Sequence, residues 1–422
     1  MRHAPRRESP KLGYLRAGAR VKRSEAAAGH TGCEGGWYRV SPMGYVCVGV
    51  EAVLDSDDAK AQPLPVSPDR DAPLPYMYAR ARNPAPLKYV RVPNRQQRRR
   101  YEVANVPSSV TPASWKERRF TPVPDFLREG GAAPTLRGYD YGRQTLYLER
   151  ALAGSGFALH ELFRANGGSF GLSVDREVLA LDRLEPVTGS EFEGIRVQES
   201  RAVAVAFVKS ARAAVFVRAA EPAAGFVERG QALRREGFCL TEGKVRWGAR
   251  ELVEAVDGTW LDSAQLLIVS ARERPPREVA RGGTWIDVSL RDQTLVAYEG
   301  SRAVYATLVS TGVKGEEDAE DSLETPTGLY RVHTKHVTTT MSGNAPDDPY
   351  SMGHVPWVQY FEGNYALHGA YWHDSFGRPK SHGCVNLSPA DALWLFKWSS
   401  PPVPRAWHGA MSTDGTLVRI RS

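Results

Sequence analysis

The chain has 422 residues, 42% hydrophobic and 24% charged, enough to bury several cores and unlike a disordered or low-complexity protein. No run approaches eighteen apolar residues, and the opening MRHAPRRESPKLGYLRAG is basic without the apolar stretch of a signal peptide. That argues against a membrane-spanning helix and leaves either a cytosolic chain or one whose export signal has been removed. The formal net charge of +7 suits a polyanionic neighbour, yet the densest basic run, RQQRRR at 95–100, comes with no nucleic-acid-binding motif and reads as a solvated linker.

Residues 12–50 alternate short β-type runs with turn clusters, as in GYLRAGARVKRSE and GWYRVSPMGYVCVGV, and predict a small SH3-like β-barrel within 1–62. Cys33 and Cys47 lie there, two of only four cysteines. Four are too few for a disulfide framework, and a single bridge between these two is one reading. Pro63, Pro65, Pro68, Pro73 and Pro75 then mark an extended connector, giving a Pro/Arg-rich linker over 63–100. The connector predicts that residues 1 to about 100 fold independently and can be deleted without loss of chemistry. Residues 101–204 say least: RQTLYLERA fits a strand or a helix, GFALHELFRANGG fits a short amphipathic segment, and the whole reads as a mixed α/β region of unassigned role. From 205 to 272 the chain is strand-rich again. Gly258, Thr259 and Trp260 before its final strand echo Gly36 and Trp37, a weak internal repeat that marks a second SH3-like unit; Cys239 within it reads as a small buried hydrophobe.

After a second Pro-containing break at 271–283 the character changes. WIDVSL, TLVAYEG and AVYATLVSTG form a β-meander pattern, further strands are expected in GLYRVHTKHV, VPWVQYF, YALHG and TLVRI, and one helix follows SHGCVN. Ser388 is its N-cap, Pro389 takes its first position, and Asp391 completes a capping box. The fold class is mainly β, with a C-terminal domain over 283–422.

The chemistry concentrates at Cys384. A nucleophilic cysteine needs a histidine, a positive charge or helix-end donors nearby, and His354, His368, His373 and His382 crowd this region. His382, two residues away on an extended loop, points away from the sulfur, whereas His368 ends a strand and can reach across. Gly383 lets its own N–H and that of Cys384 approach a reacting carbonyl oxygen. Two blander readings stand beside this one: a buried structural cysteine, and a zinc ion on His368, His382 and Cys384, whose spacing is not a usual zinc pattern.

LHGAYWHDSFGRPKSHGCVNLS, with TPTGLYRV at 325–332 and WIDVSLRDQTLVAYEG at 285–300, resembles the catalytic domain of L,D-transpeptidases of the YkuD type. The resemblance covers about a third of the chain and implies a β-sandwich with one short helix after the catalytic loop. It also implies a location in the periplasm or cell envelope after loss of an export signal. It makes Cys384 the nucleophile, His368 its base and the Gly369 carbonyl the group that orients the imidazole. His382, Gly383 and Cys384 shape the oxyanion hole, and Asn386 supports the loop. Residues 338–362 fall where the family carries a lid. Tyr350, Met352, Trp357, Tyr360, Tyr371 and Trp372 are then candidates for the cleft wall, and Arg378 and Lys380 for binding stem-peptide carboxylates.

The implied partners are a donor tetrapeptide and an amine acceptor of peptidoglycan, with carbapenems as expected inhibitors and no cofactor, metal or nucleic acid. The implied reaction cross-links two diaminopimelates through a cysteinyl thioester, in the service of cell-wall biogenesis and cell shape. Hydrolysis of the same thioester, by an L,D-carboxypeptidase or an enzyme releasing a wall-attached protein, is the first alternative. A non-catalytic wall-binding protein is the second. The SH3-like units would hold wall polymer or act as spacers. With an ordinary thiol, a variant lacking His368 regains rate as pH rises toward about 9, whereas one lacking His382 loses rate at every pH.

Overall fold

The computed structural model describes all residues except 50–51, 55–66, 103–111, 134–143, 198–200, 222–223, 314–322 and 344–348. The chain is mainly β, and most described strands belong to three sheets. Among the described residues no helix is long and apolar enough to cross a membrane.

The β-meander expected from 285 onward is present as strands Thr284–Ser289, Thr294–Glu299 and Arg302–Leu308, joined in one six-stranded sheet by Leu417–Arg421, Gly328–Arg331 and Ile195–Arg196. Alternation here does not separate core from solvent. Ile286, Val288, Leu295 and Ala297 face one core, while Trp285, Val296 and Tyr298 face a second that includes Val205 and Phe207. Both faces are covered, so even the polar Asp287 is buried, and it is paired with Arg419 and Arg421 from the neighbouring parallel strand.

The first core is closed by the C-terminal part of a 13-stranded sheet and by the helix Pro389–Trp398, which contributes Ala392, Leu395 and Phe396. Ser388 caps that helix by accepting the Asp391 N–H, but the reciprocal half of the expected capping box is missing. The Asp391 carboxylate instead accepts the Gly194 N–H at 2.8 Å and the hydroxyls of Tyr305 and Thr307. At the other end, buried Lys335 donates to the carbonyls of Phe396 and Ser399, at 2.6 and 2.8 Å, closing orphan acceptors of the last turn.

The larger sheet overturns the linker reading. Its C-terminal strands, Thr334–Gly343, Tyr350–Glu362, Tyr365–Gly369 and Val385–Leu387, continue into Gly156–Ala165, Gly168–Ser173, Val178–Ala180, Leu87–Tyr89 and Tyr147–Arg150, with Met77–Ala81 paired to Gly156–Ala165. The join is parallel, Met352 opposite Gly156. Residues 77–101 are therefore part of the core and not a connector: Tyr78 and Tyr89 are fully buried. RQTLYLERA contains the strand Tyr147–Arg150, and GFALHELFRANGG is dominated by the strand Gly156–Ala165. The head of the Pro-rich passage, including Pro63 and Pro65, lies outside the described residues.

RQQRRR opens the helix Arg95–Tyr101, capped by Asn94 and Gln97 in a reciprocal box. Arg98 is buried within an ionic network, 2.6 Å from Glu102 and 2.8 Å from Asp182, while Tyr89 donates to Glu102 at 2.8 Å. The run is thus a helix and not a linker, with Arg98 buried while Arg95, Gln96, Arg99 and Arg100 stay exposed.

Residues 204–270 form a separate seven-stranded antiparallel sheet with its own core of Ala206, Val208, Leu240, Val253 and Leu261. Near the N-terminus, Trp37–Arg39 pairs with Tyr45–Cys47 beside a Cys33–Cys47 disulfide, but Gly13–Tyr14 leaves this unit to pair with Gly409–Met411 of the large sheet. Independent folding of residues 1–100 does not follow from such pairing. The core reading of the basic run makes a direct prediction. Arg98→Ala removes the main cation beside buried Glu102 and half-buried Asp182, leaving them only the longer contacts of Arg183, and should lower unfolding free energy in urea by about 3 kcal/mol, whereas exposed Arg99→Ala should change it by less than about 0.5 kcal/mol.

Candidate active site

Cys384 sits one residue before the strand Val385–Leu387, not directly before the helix, and its loop is tied down on both sides. The N–H groups of Lys380 and Ser381 both donate to the Thr311 carbonyl, at 2.9 and 3.0 Å, and the Ser381 hydroxyl donates to the Cys384 carbonyl. Thr325 donates to the Gly383 carbonyl at 2.8 Å. Gly383 has φ +116, and a Cβ there would stand 2.5 Å from the Tyr365 ring, so only glycine fits this turn. Its N–H, expected to face a reacting carbonyl, is instead given to the Ser381 hydroxyl at 3.1 Å. Among the described residues the Cys384 N–H has no acceptor, which leaves it available to an oxyanion.

Val385–Leu387 runs parallel to Tyr365–Gly369, with His368 opposite Asn386, and this register brings His368 and Cys384 into one cleft. His368 is 3% exposed, and its Nδ1 lies 3.4 Å from the Gly369 carbonyl. A carbonyl can only accept, so Nδ1 carries the proton and Nε2 keeps the lone pair of a base. Burial, with His373 adding to it, pushes the imidazole down to about 4, against the opposing pull of the Gly369 carbonyl. Burial also pushes the Cys384 thiol up to about 11, although the Ala366 main chain offers it a hydrogen bond that lowers it. The resting pair is therefore a neutral thiol and a neutral imidazole across the ordinary pH range.

The cleft measures about 290 Å³ and is lined by Met341, Tyr350, Met352, His368, Trp372, Lys380, His382, Cys384 and Asn386 from the catalytic half. His382 stacks on Tyr350 at 4.7 Å, and among the described residues no group of three metal-ligating side chains gathers. Asn386 lies 3.0 Å from His373 Nε2. The hairpin of Thr334–Gly343 and Tyr350–Glu362 supplies one wall, and 344–348 at its tip fall outside the described residues.

Three residues expected at the cleft, Trp357, Tyr371 and Arg378, lie elsewhere. Trp357 is in the sandwich core, its indole donating to the Pro73 carbonyl at 2.6 Å. Tyr371 is buried against Tyr78 and donates to the Gly353 carbonyl at 3.0 Å. Arg378 is exposed away from the cleft, whereas Tyr360, beside His333 and His336, packs in one apolar cluster with Met352, Tyr350, Trp372 and Cys384. Sequence reading missed the opposite wall: Arg80, Ala153, Gly154 and Ser155 come from the N-terminal layer. The loop preceding Cys384 is also held by Arg235 of the seven-stranded sheet, 2.6 Å from Asp374.

Residues 283–420 match the family model described as the YkuD L,D-transpeptidase catalytic domain. This segment is a YkuD-type L,D-transpeptidase catalytic domain. YciB of Bacillus subtilis (strain 168), named as a candidate L,D-transpeptidase, is 24% identical over 131 residues, covering 28% of this chain and 63% of that protein. Solved L,D-transpeptidase structures are similar too. One from Xylanimonas cellulosilytica is 28% identical with TM-score 0.25, covering 35% of this chain and 65% of that one. One from Stackebrandtia nassauensis is 26% identical with TM-score 0.24, covering 34% and 58%. The chain thus spans somewhat less than two thirds of the length of the first relatives it matches.

The raised thiol changes the expected pH behaviour of the YkuD-type site. Alkylation of Cys384 in a His368→Ala variant should stay slow at pH 9 and recover only as pH approaches about 11, where the thiol ionises unaided. In the wild type, His368 is neutral and competent above about pH 4, so acylation should fall only as pH drops through that value. Rates from stopped mass-spectrometric assays over pH 4–11 check both.

Proposed function

We propose that the protein is a peptidoglycan L,D-transpeptidase acting through a cysteinyl thioester in the cell envelope. The observation that carries this reading is one cleft, inside a YkuD-type domain, lined by both Cys384 and a buried His368 whose Nδ1 faces the Gly369 carbonyl. The donor is a stem tetrapeptide. Cys384 Sγ attacks the carbonyl at the L-centre of diaminopimelate while His368 Nε2 takes the thiol proton, since neither group carries charge beforehand. The Cys384 N–H supports the oxyanion of the tetrahedral intermediate.

As the intermediate collapses, the imidazolium returns its proton to the departing amine of D-alanine, leaving a thioester. An amine on the side chain of a second diaminopimelate then attacks the thioester. His368 takes the amine proton and passes it to the leaving sulfur, which restores the thiol. Water as the acceptor gives a tripeptide instead, by the same proton transfers. The seven-stranded sheet over 204–270 and the N-terminal disulfide unit are proposed, as SH3-like units, to hold wall polymer near the cleft.

The test is incubation of the full chain with purified disaccharide-tetrapeptides followed by mass spectrometry. Cross-linked dimers with loss of D-alanine are expected, and tripeptide alone would assign the protein to hydrolysis. Carbapenem treatment should add mass at Cys384, and Cys384→Ala should abolish both the adduct and the dimers. An intact variant that still forms dimers would remove the thioester.

A further inference from the structure

The charge of the cleft exceeds what the proposed proton transfers use. Arg80, Lys380, His368 and His382 are its ionisable lining groups besides the thiol and Tyr350, and no acidic side chain among the described residues lines it. Arg80 comes from the strand Met77–Ala81 of the N-terminal layer, about three hundred residues upstream of the thiol. Its Nε donates to the Gly154 carbonyl at 3.1 Å, which sets the guanidinium beside the turn at 153–155. With Nε engaged, the edge formed by the two Nη atoms remains, the planar fork that matches a carboxylate. Among the described residues no carboxylate pairs with it.

A second observation lies next to it. Ser155 lines the same cleft, is 3% exposed, and its hydroxyl has no hydrogen-bond partner among the described residues. A buried hydroxyl left unpaired is a standing penalty that a bound acceptor removes. Lys380, on the catalytic side, is exposed and likewise without a carboxylate partner among the described residues.

We infer that Arg80 and Ser155 form an anion subsite for a carboxylate of the donor peptide, so that the N-terminal layer sets donor specificity for a thiol held by the other half of the protein. The inference rests on the stem-peptide reading above. The tetrapeptide offers three such groups: the α-carboxylate of its γ-linked D-glutamate, the free carboxylate of diaminopimelate and the terminal D-alanine carboxylate. The cleft has cations on both sides to receive them. Arg80 is a specificity-determining residue and has no part in the proton transfers.

The experiment measures peptide binding to full-length Cys384→Ala protein by calorimetry, which needs no turnover. Arg80→Gln should weaken binding of the free tetrapeptide by tenfold or more, the scale of a charge-assisted hydrogen bond, and Arg80→Lys should recover part of it. Ser155→Ala should weaken it by a smaller factor. Amidating the carboxylate that Arg80 holds should abolish the effect of Arg80→Gln, so one of three peptides, the D-glutamate amide, the diaminopimelate amide or the D-alaninamide, binds both proteins alike. Equal binding of the free tetrapeptide with and without the Arg80→Gln substitution would overturn the subsite. So would an equal loss on all four peptides, which marks a structural role. If binding depends on Arg80 yet the wild type neither cross-links nor trims tetrapeptides, the subsite stands and the assigned reaction fails.

Discussion

The two halves of the protein meet where Gly156 runs parallel to Met352 and Gly353, and that meeting has no room for a side chain. A Cβ on Gly156 would lie 2.0 Å from the Tyr371 hydroxyl, and one on Gly353 would lie 3.0 Å from the Gly156 carbonyl. Tyr371 spans the seam, donating to the Gly353 carbonyl, with its ring against Tyr78. Tyr78 in turn donates to the His354 carbonyl at 2.6 Å. This dense packing makes one sheet out of strands from residues 77–187 and strands from the catalytic domain. It also brings Arg80 and Ser155 to the edge of the cleft, directly beside the hairpin that walls it.

The electrostatics of the site follow from the same enclosure. A cysteine on an open loop would ionise near its ordinary value, and a histidine beside it would hold a proton near pH 6. Here burial moves the two groups apart, the thiol to about 11 and the imidazole to about 4, so both rest uncharged. Enclosure thus sacrifices a standing thiolate, and in the proposed reaction the proton moves as the sulfur bonds to carbon. The Gly369 carbonyl fixes which nitrogen receives it. Among the described residues the cleft has no acidic lining group, and neither Arg80 nor Lys380 has a carboxylate partner, which suits the proposed peptide with its own negative charge.

The parts of this arrangement that were legible in the sequence are those in which chemistry and pattern are local. Cys384, Gly383 and His382 are adjacent, His368 closes a recognisable strand, and the alternation from Trp285 to Glu299 reports its strands whichever core each face meets. The helix was legible through Ser388 and Pro389, but not the use of Asp391, whose partners at Gly194, Tyr305 and Thr307 lie far back in the chain. The same distance hid the role of Arg98: an arginine run looks solvated until Asp182, 84 residues on, is folded against it. The strand Gly156–Ala165 is buried along most of its length and so lacks the period of two that marks a half-exposed strand. Trp357 and Tyr371 were drawn to the cleft by composition, since an aromatic near an active cysteine looks the same in sequence whether it lines the site or supports it. Arg80 carried no signal at all, because its neighbours in the cleft are set by tertiary packing alone.

The central claim is that the N-terminal layer and the catalytic domain form a single cooperative body with the cleft in its seam. Native-state hydrogen exchange on the full chain tests it most directly, by comparing amides of Met77–Ala81 and Gly156–Ala165 with those of Tyr350–Glu362. The account predicts that the slowest amides of the three strands open with one common free energy, and that Gly156→Val, which intrudes on Tyr371, lowers all of them together. Exchange of the N-terminal strands at a free energy well below that of Tyr350–Glu362, with the latter unmoved by Gly156→Val, would contradict it.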